Sequence, residues 1–142
     1  MKKFLLWCLA SNGLAFSASA QGVVDSIRLN KHKNVAAIQY GVASYYHDKF
    51  EGRKTANGEI FTQKKLTAAS NKFPLNCWVR VTNTRNKKSI VVRIIDRMHH
   101  LNTRLIDLSR KSAEELQFIS RGLVRVKVEY LGKKQPEDWA DK

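Results

Sequence analysis

The sequence predicts a mainly β protein, a small barrel with one short helix. Three observations point there. From Leu123 to Leu131, Val124, Val126, Val128 and Tyr130 alternate with Arg125, Lys127 and Glu129, the period-2 pattern of a half-buried strand. Val79 and Val81 alternate in the same way with Trp78, Arg80 and Thr82. The polar run Asn83 to Lys88 then turns the chain into the apolar stretch Ser89 to Ile95, which makes the pair a hairpin. Such signals recur at the spacing of sandwiches and barrels, and helical periodicity occurs once.

In chain order, Lys2 and Lys3 precede a mostly apolar stretch from Phe4 to Phe16, and Ala18-Ser19-Ala20 supplies a small-x-small cleavage pattern. Residues 1–20 therefore read as a secretory signal cut after Ala20, and the protein as exported to the periplasm or cell envelope. Trp7 stands where a lipoprotein cysteine wants a small neighbour, so Cys8 reads as a passenger and not as a lipid site. Residues 21–36 lack periodicity and carry Lys31-His32-Lys33, a flexible linker. The compact domain is expected over 37–132, with strands at 37–46 and 66–69 before the hairpin. Ser89 to Ile95 is apolar except for Arg93, as a strand buried on both faces would be. The helix is Arg110 to Phe118, capped by Ser109 and apolar at Ala113 and Leu116, and Gly122 releases the chain into the last strand. Residues 133–142 read as a frayed tail.

Composition limits what such a domain does. The 142 residues are 43% hydrophobic, ordinary for a globular protein, which speaks against wholesale disorder. Two cysteines make neither a disulfide scaffold nor a zinc module, and the histidines have no metal-ligand spacing; no metal or cofactor is expected. Without Lys2 and Lys3, 24 basic residues face 12 acidic ones, a net charge of +12. For an exported protein, that charge points to anionic wall polymers and not to nucleic acid. No mature segment reads as a membrane span or a basic amphipathic helix, and the oligomeric state is taken as monomeric by default. The pairs Lys64-Lys65, Lys87-Lys88 and Lys133-Lys134 fall at turns, as solvated faces or as holds for anionic polymers. Trp78 reads as core and Trp139 as free to stack on sugars.

Three segments are polar beyond structural need. Gly52-Arg53-Lys54-Thr55-Ala56-Asn57-Gly58-Glu59 puts an arginine, a threonine and a carboxylate on one turn, which spacing alone leaves as a solvated loop. Asp96-Arg97 follows the apolar strand, where a carboxylate is either functional or a strand-end partner of Arg97. Asp107 reads as the brace of a turn, since a carboxylate just before a helix favours its positive end.

Together, "GVASYYHDKFEGRKTANGEIF", "LTAAS", "VRVTN", "VVRIIDR" and "LIDLS" resemble the double-psi β-barrel domain of rare lipoprotein A, in matching order from about Gly41 to Leu131. The resemblance implies a six-stranded double-psi β-barrel with one or two short helices. It also implies an exported lytic transglycosylase that cuts MurNAc–GlcNAc bonds of peptide-stripped peptidoglycan. Asp96 takes the acid/base role and Glu59 that of a second functional carboxylate. Arg53, Thr55 and Asn57 bind the glycan, with Ser70 and Arg97 beside them and Tyr45 as a stacking surface. Family members commonly carry histidine where this chain has Ser70, and "DRGP" where it has Asp96-Arg97-Met98-His99. His47, His99 and His100 read as surface or packing residues. The alternative is a wall-binding barrel without turnover, as in expansins, and retention of Glu59 and Asp96 is what separates the two readings.

Overall fold

A computed structural model describes residues 37–137 and 139, so the signal, the linker and Cys8 lie outside the described residues. Six strands close a barrel: β1 (Ile38–Tyr45), β2 (Thr67–Ala69), β3 (Trp78–Asn83), β4 (Ser89–Asp96), β5 (Ile106–Leu108) and β6 (Val124–Gly132). Around the barrel their order is β1-β5-β2-β4-β3-β6. The β3–β4 hairpin and the β3–β6 and β1–β6 pairs are antiparallel, while β1–β5 and β2–β4 run parallel and require crossovers. Among the described residues, one helix, α1 (Arg110–Glu115), and two single 3₁₀ turns, Asp48–Phe50 and Ile119–Arg121, accompany the strands.

Alternation fills the barrel. Val124, Val126 and Val128 of β6, Val79 and Val81 of β3, and Val92 and Ile94 of β4 are buried together. Phe73, Leu116 and Phe118 belong to the same buried cluster. Gly41 of β1 is required by close packing, because a Cβ there would stand 2.6 Å from the Leu105 Cβ. Cys77 is a buried free thiol, and burial pushes its pKa up to about 11.

Four features differ from the sequence reading. Ile106–Leu108 is a strand and not an approach to the helix, because three residues are too few for period 2 to register. The helix stops at Glu115 instead of Phe118: Gln117 adopts φ 56°, its N–H bonds to the Glu114 carbonyl, and the Phe118 N–H bonds to that of Ala113. This is a Schellman stop built on glutamine, so no glycine marks it. β4 is buried on both faces only near its end, at Ile94 and Ile95. The tail is not wholly frayed: Trp139 packs on Trp78, with ring centroids 4.7 Å apart.

Candidate active site

The site forms where the ends of β2 and β4 lie beside the first residues of β5. Ala68 faces Ile94, but Ala69 faces Asp96, so β4 carries one extra residue, a bulge at Ile95. Strict alternation would turn Asp96 inward with Val92 and Ile94; the bulge re-aims it to the surface. Ala69 is also the register partner of Asp107 on β5. Two carboxylates thus flank one small residue at the same level, two strand spacings (about 10 Å) apart at their Cα atoms.

The loop from Tyr46 to Phe61 closes over these strand ends. Its tip is a turn in which the Thr55 N–H bonds to the Glu59 carbonyl, with Gly58 at φ 92°, a conformation that favours glycine. Asn57 holds the turn from within: its Oδ1 accepts from the Thr55 hydroxyl at 2.6 Å and from the Glu59 N–H at 3.1 Å. The Asn57 N–H bonds to the Ile95 carbonyl at 3.0 Å, which ties the turn to β4.

Asp96 is consequently well held. Its Oδ1 accepts from the N–H groups of Ala56 at 2.9 Å and Arg97 at 2.8 Å, and its Oδ2 from the Tyr46 hydroxyl at 2.8 Å. Tyr46 packs against Phe50 and Phe61. Burial, then the Asp96 hydrogen bond and the charges of Asp96 and Asp107, push its pKa far above the usual tyrosine value, so the phenol keeps its proton. Asp107 accepts both arms of Arg104, Nε at 2.7 Å and Nη2 at 2.8 Å.

These residues line a groove of about 750 Å³. Asp96 and Asp107 share it with five bases, Lys49, Arg53, Lys54, Arg97 and Arg104, and with the aromatic rings of Tyr45, Tyr46, Phe50 and Phe61. A cationic, partly aromatic trough suits an extended anionic chain with flat apolar faces. No group of three or more His, Cys, Asp or Glu side chains among the described residues is placed to hold a metal ion.

The family model described as lytic transglycolase, a double-psi β-barrel, matches residues 38–128. The chain belongs to this family. Three relatives, each named endolytic peptidoglycan transglycosylase RlpA, are similar to it. That of Haemophilus influenzae is 48% identical over 94 residues, 66% of this chain and 33% of the relative. That of Rickettsia bellii is 49% identical over 94 residues, 64% of this chain and 41% of the relative. That of Neisseria meningitidis serogroup B is 36% identical over 144 residues, 90% of this chain and 60% of the relative. The chain thus spans a third to three-fifths of the length of these relatives. Among solved structures, Streptomyces papain inhibitor matches with TM-score 0.55 and 23% identity over 68% of this chain and 96% of the other. A Clavibacter michiganensis expansin matches with TM-score 0.54 and 15% identity over 70% of this chain and 52% of the other. At such identities these two structures speak to fold alone.

Of the residues singled out in this lytic transglycolase barrel from sequence, Asp96, Arg53, Thr55, Tyr45 and Arg97 line the groove, and Glu59, Asn57 and Ser70 do not. Glu59 is turned to Arg93, which reaches both its oxygens at 2.5 and 2.6 Å. Thr55 is buried and its hydroxyl serves the turn. Ser70 is fully buried: its hydroxyl donates to the Leu105 carbonyl at 2.8 Å and accepts from the Lys72 N–H at 3.1 Å. The Arg97 guanidinium reaches the carbonyls of Ser70 and Phe73 and so binds the loop below it. Tyr45 turns its ring to Phe118 and its hydroxyl to the Ile119 carbonyl, while Arg110 covers the ring.

Sequence reasoning passed over Tyr46, although the Tyr45-Tyr46 pair held the signal: neighbours leaving a strand point to opposite sides. Asp107, read as the brace of a turn, holds Arg104 of the preceding loop and also lines the groove, while Ser109 caps the helix as read, accepting from the Ser112 N–H at 3.2 Å. His47 and His99, read as surface or packing residues, are exposed and line the groove.

Proposed function

We propose that this barrel is an exported enzyme that cleaves the glycan strands of peptidoglycan between MurNAc and GlcNAc without water, leaving 1,6-anhydro-MurNAc ends. The observation that carries the reading is Asp96, a carboxylate aimed into a cationic groove and fixed by three donors. Membership of the lytic transglycolase family and relatives named for peptidoglycan cleavage support it. Protonated Asp96 gives its proton to the glycosidic oxygen as the bond to C1 breaks. The resulting carboxylate then takes the proton of the C6 hydroxyl as that oxygen closes on C1. One group serves as acid and then as base, and the proton balance closes with no second carboxylate to activate water.

Tyr46 holds Asp96 in line throughout, since its phenol stays a donor. Arg53 and the other groove bases draw the lactyl carboxylates of stripped strands. In this reading Glu59 acts at one remove. Its pair with Arg93 fastens the turn whose Ala56 N–H holds Asp96, which makes it a positioning residue.

A second reading, a barrel that binds wall glycan without turnover, is favoured by one observation: position 70 offers a buried serine hydroxyl to neighbouring backbone and no imidazole to the groove. Mass spectrometry of glycan strands incubated with the chain and with Asp96→Asn decides between the two. Anhydro ends that vanish in the variant support the enzyme. Sedimentation with glycan and no products supports the binding module.

A further inference from the structure

A second cavity, of about 330 Å³, shares no lining residue with the groove. Its size falls at the lower end of small-molecule sites, ~300–1,000 Å³. Trp78 of β3 and Trp139 of the tail meet in its wall with their rings tilted by 59°. Lys64 and Lys65, Arg93 of β4 and Lys111 of α1 supply four cations. Glu59 meets the charge of Arg93 and Glu51 feels that of Lys64, but no ion pair among the described residues holds Lys64 or Lys65. Two buried side-chain polar atoms among the described residues have no hydrogen-bond partner, Thr67 Oγ1 and Trp139 Nε1, and both belong to residues of this cavity. Protein interiors rarely leave such atoms unpaired.

We propose that this cavity is a second glycan site, which binds a sugar ring carrying a carboxylate. Each part of such a ring has a counterpart. The indole of Trp139 offers a flat face to the C–H side of a pyranose, and its unpaired N–H is a donor for a ring oxygen. Thr67 offers a hydroxyl that both donates and accepts. Lys64 and Lys65 are mobile point charges suited to a carboxylate. A bare anion would use the lysines and leave the tryptophans idle, and a neutral sugar would do the reverse. The proposal deepens the glycan reading, on which it rests for the nature of the ligand. A strand gripped both here and in the groove would be held by two weak contacts acting together.

The sequence provides a reporter. It has three tryptophans, Trp7, Trp78 and Trp139, so in the full-length chain with Trp7→Phe the indole emission comes from this cavity alone. With Asp96→Asn added to spare the ligand, that chain is titrated with three probes: a peptide-free MurNAc-GlcNAc tetrasaccharide, chitotetraose and inorganic phosphate. The expected result is saturable quenching by the first, and affinity weakened by about tenfold or more in Lys64→Glu/Lys65→Glu, the loss of two charge-assisted contacts. Trp139→Phe should weaken binding as followed by calorimetry, while both variants keep the parent's thermal midpoint. Equal quenching by chitotetraose, or by phosphate, overturns the proposal, as does an unchanged affinity in the lysine variant. Cleavage is assayed separately in the chain that keeps Asp96. Cleavage with no quenching sinks the second site alone, and lysine-dependent quenching with no cleavage sinks the enzymatic reading alone.

Discussion

Asp96→Asn separates chemistry from architecture because asparagine preserves the shape of the hydrogen-bond node. The amide oxygen, placed where Oδ1 stands, still accepts from the N–H groups of Ala56 and Arg97. The amide nitrogen then faces the Tyr46 hydroxyl, which turns from donor to acceptor by rotating its proton. Stability should therefore change by no more than about 1 kcal/mol, the net worth of one hydrogen bond. Cleavage should fall by about a hundred- to ten-thousandfold, the usual contribution of a positioned acid/base. Asp96→Ala is the contrasting variant: it deprives three donors of their acceptor, two on exposed residues that water can serve and one on half-buried Tyr46. A stability loss of about 1–3 kcal/mol is expected for that last group. Denaturant melts give the first quantity and mass spectrometry of anhydro ends the second. Asp96→Asn that cleaves at the parent's rate refutes the acid/base assignment. If it unfolds instead, the account of the node is wrong.

Three further outcomes follow from the same geometry. Tyr46 and Cys77 hold their protons more tightly folded than unfolded, so stability is complete below pH about 9 and falls above it, first as unfolded thiol and then as unfolded phenol ionise. Melts across that range should give a negative slope that is shallower in Cys77→Ala between pH 9.0 and about 11 and in Tyr46→Phe above pH 10.0. Gly41→Ala should lower stability by about 1–3 kcal/mol in denaturant melts, because its Cβ would stand 2.6 Å from the Cβ of Leu105, the residue before β5, and one of the two must shift. Glu59→Gln should cost under about 1 kcal/mol, since the pair is a third exposed. If Glu59 acts through the loop, steady-state cleavage should show kcat reduced about ten- to a hundredfold with KM unchanged.

How far the fold could be read from sequence depends on the length of each element. β6 and the β3–β4 hairpin each carry enough residues for period 2 to stand out, and the structure places them as read. β5 escaped because three residues cannot display a period, and its pairing with β1 and β2 is a long-range fact. The helix end escaped for a different reason: Gln117 accepts a left-handed conformation that sequence rules reserve for glycine, and the nearest glycine, Gly122, drew the boundary outward.

The site was legible as a set of polar residues but not as an orientation. Asp96 stands out in the sequence because a carboxylate follows an apolar run; that it faces the groove is due to the extra residue at Ile95, which only pairing with Ala69 reveals. Glu59 carries the converse lesson. It sits three residues from Ala56, whose N–H holds Asp96, yet its side chain lies against Arg93 and away from the groove. Arg93, Ile95 and Asp96 belong to the same strand, so β4 grips one loop at three points: the Arg93–Glu59 ion pair, the Ile95 carbonyl on the Asn57 N–H, and the Asp96 carboxylate on the Ala56 N–H. A motif that couples a loop glutamate to a strand aspartate is thus accounted for by mechanics as well as by catalysis. In the first case substitution of Glu59 disturbs the aim of Asp96, and in the second it removes a group that meets the sugar. Sequence weighs both cases equally, and here the contact between Glu59 and Arg93 tips the balance toward aim.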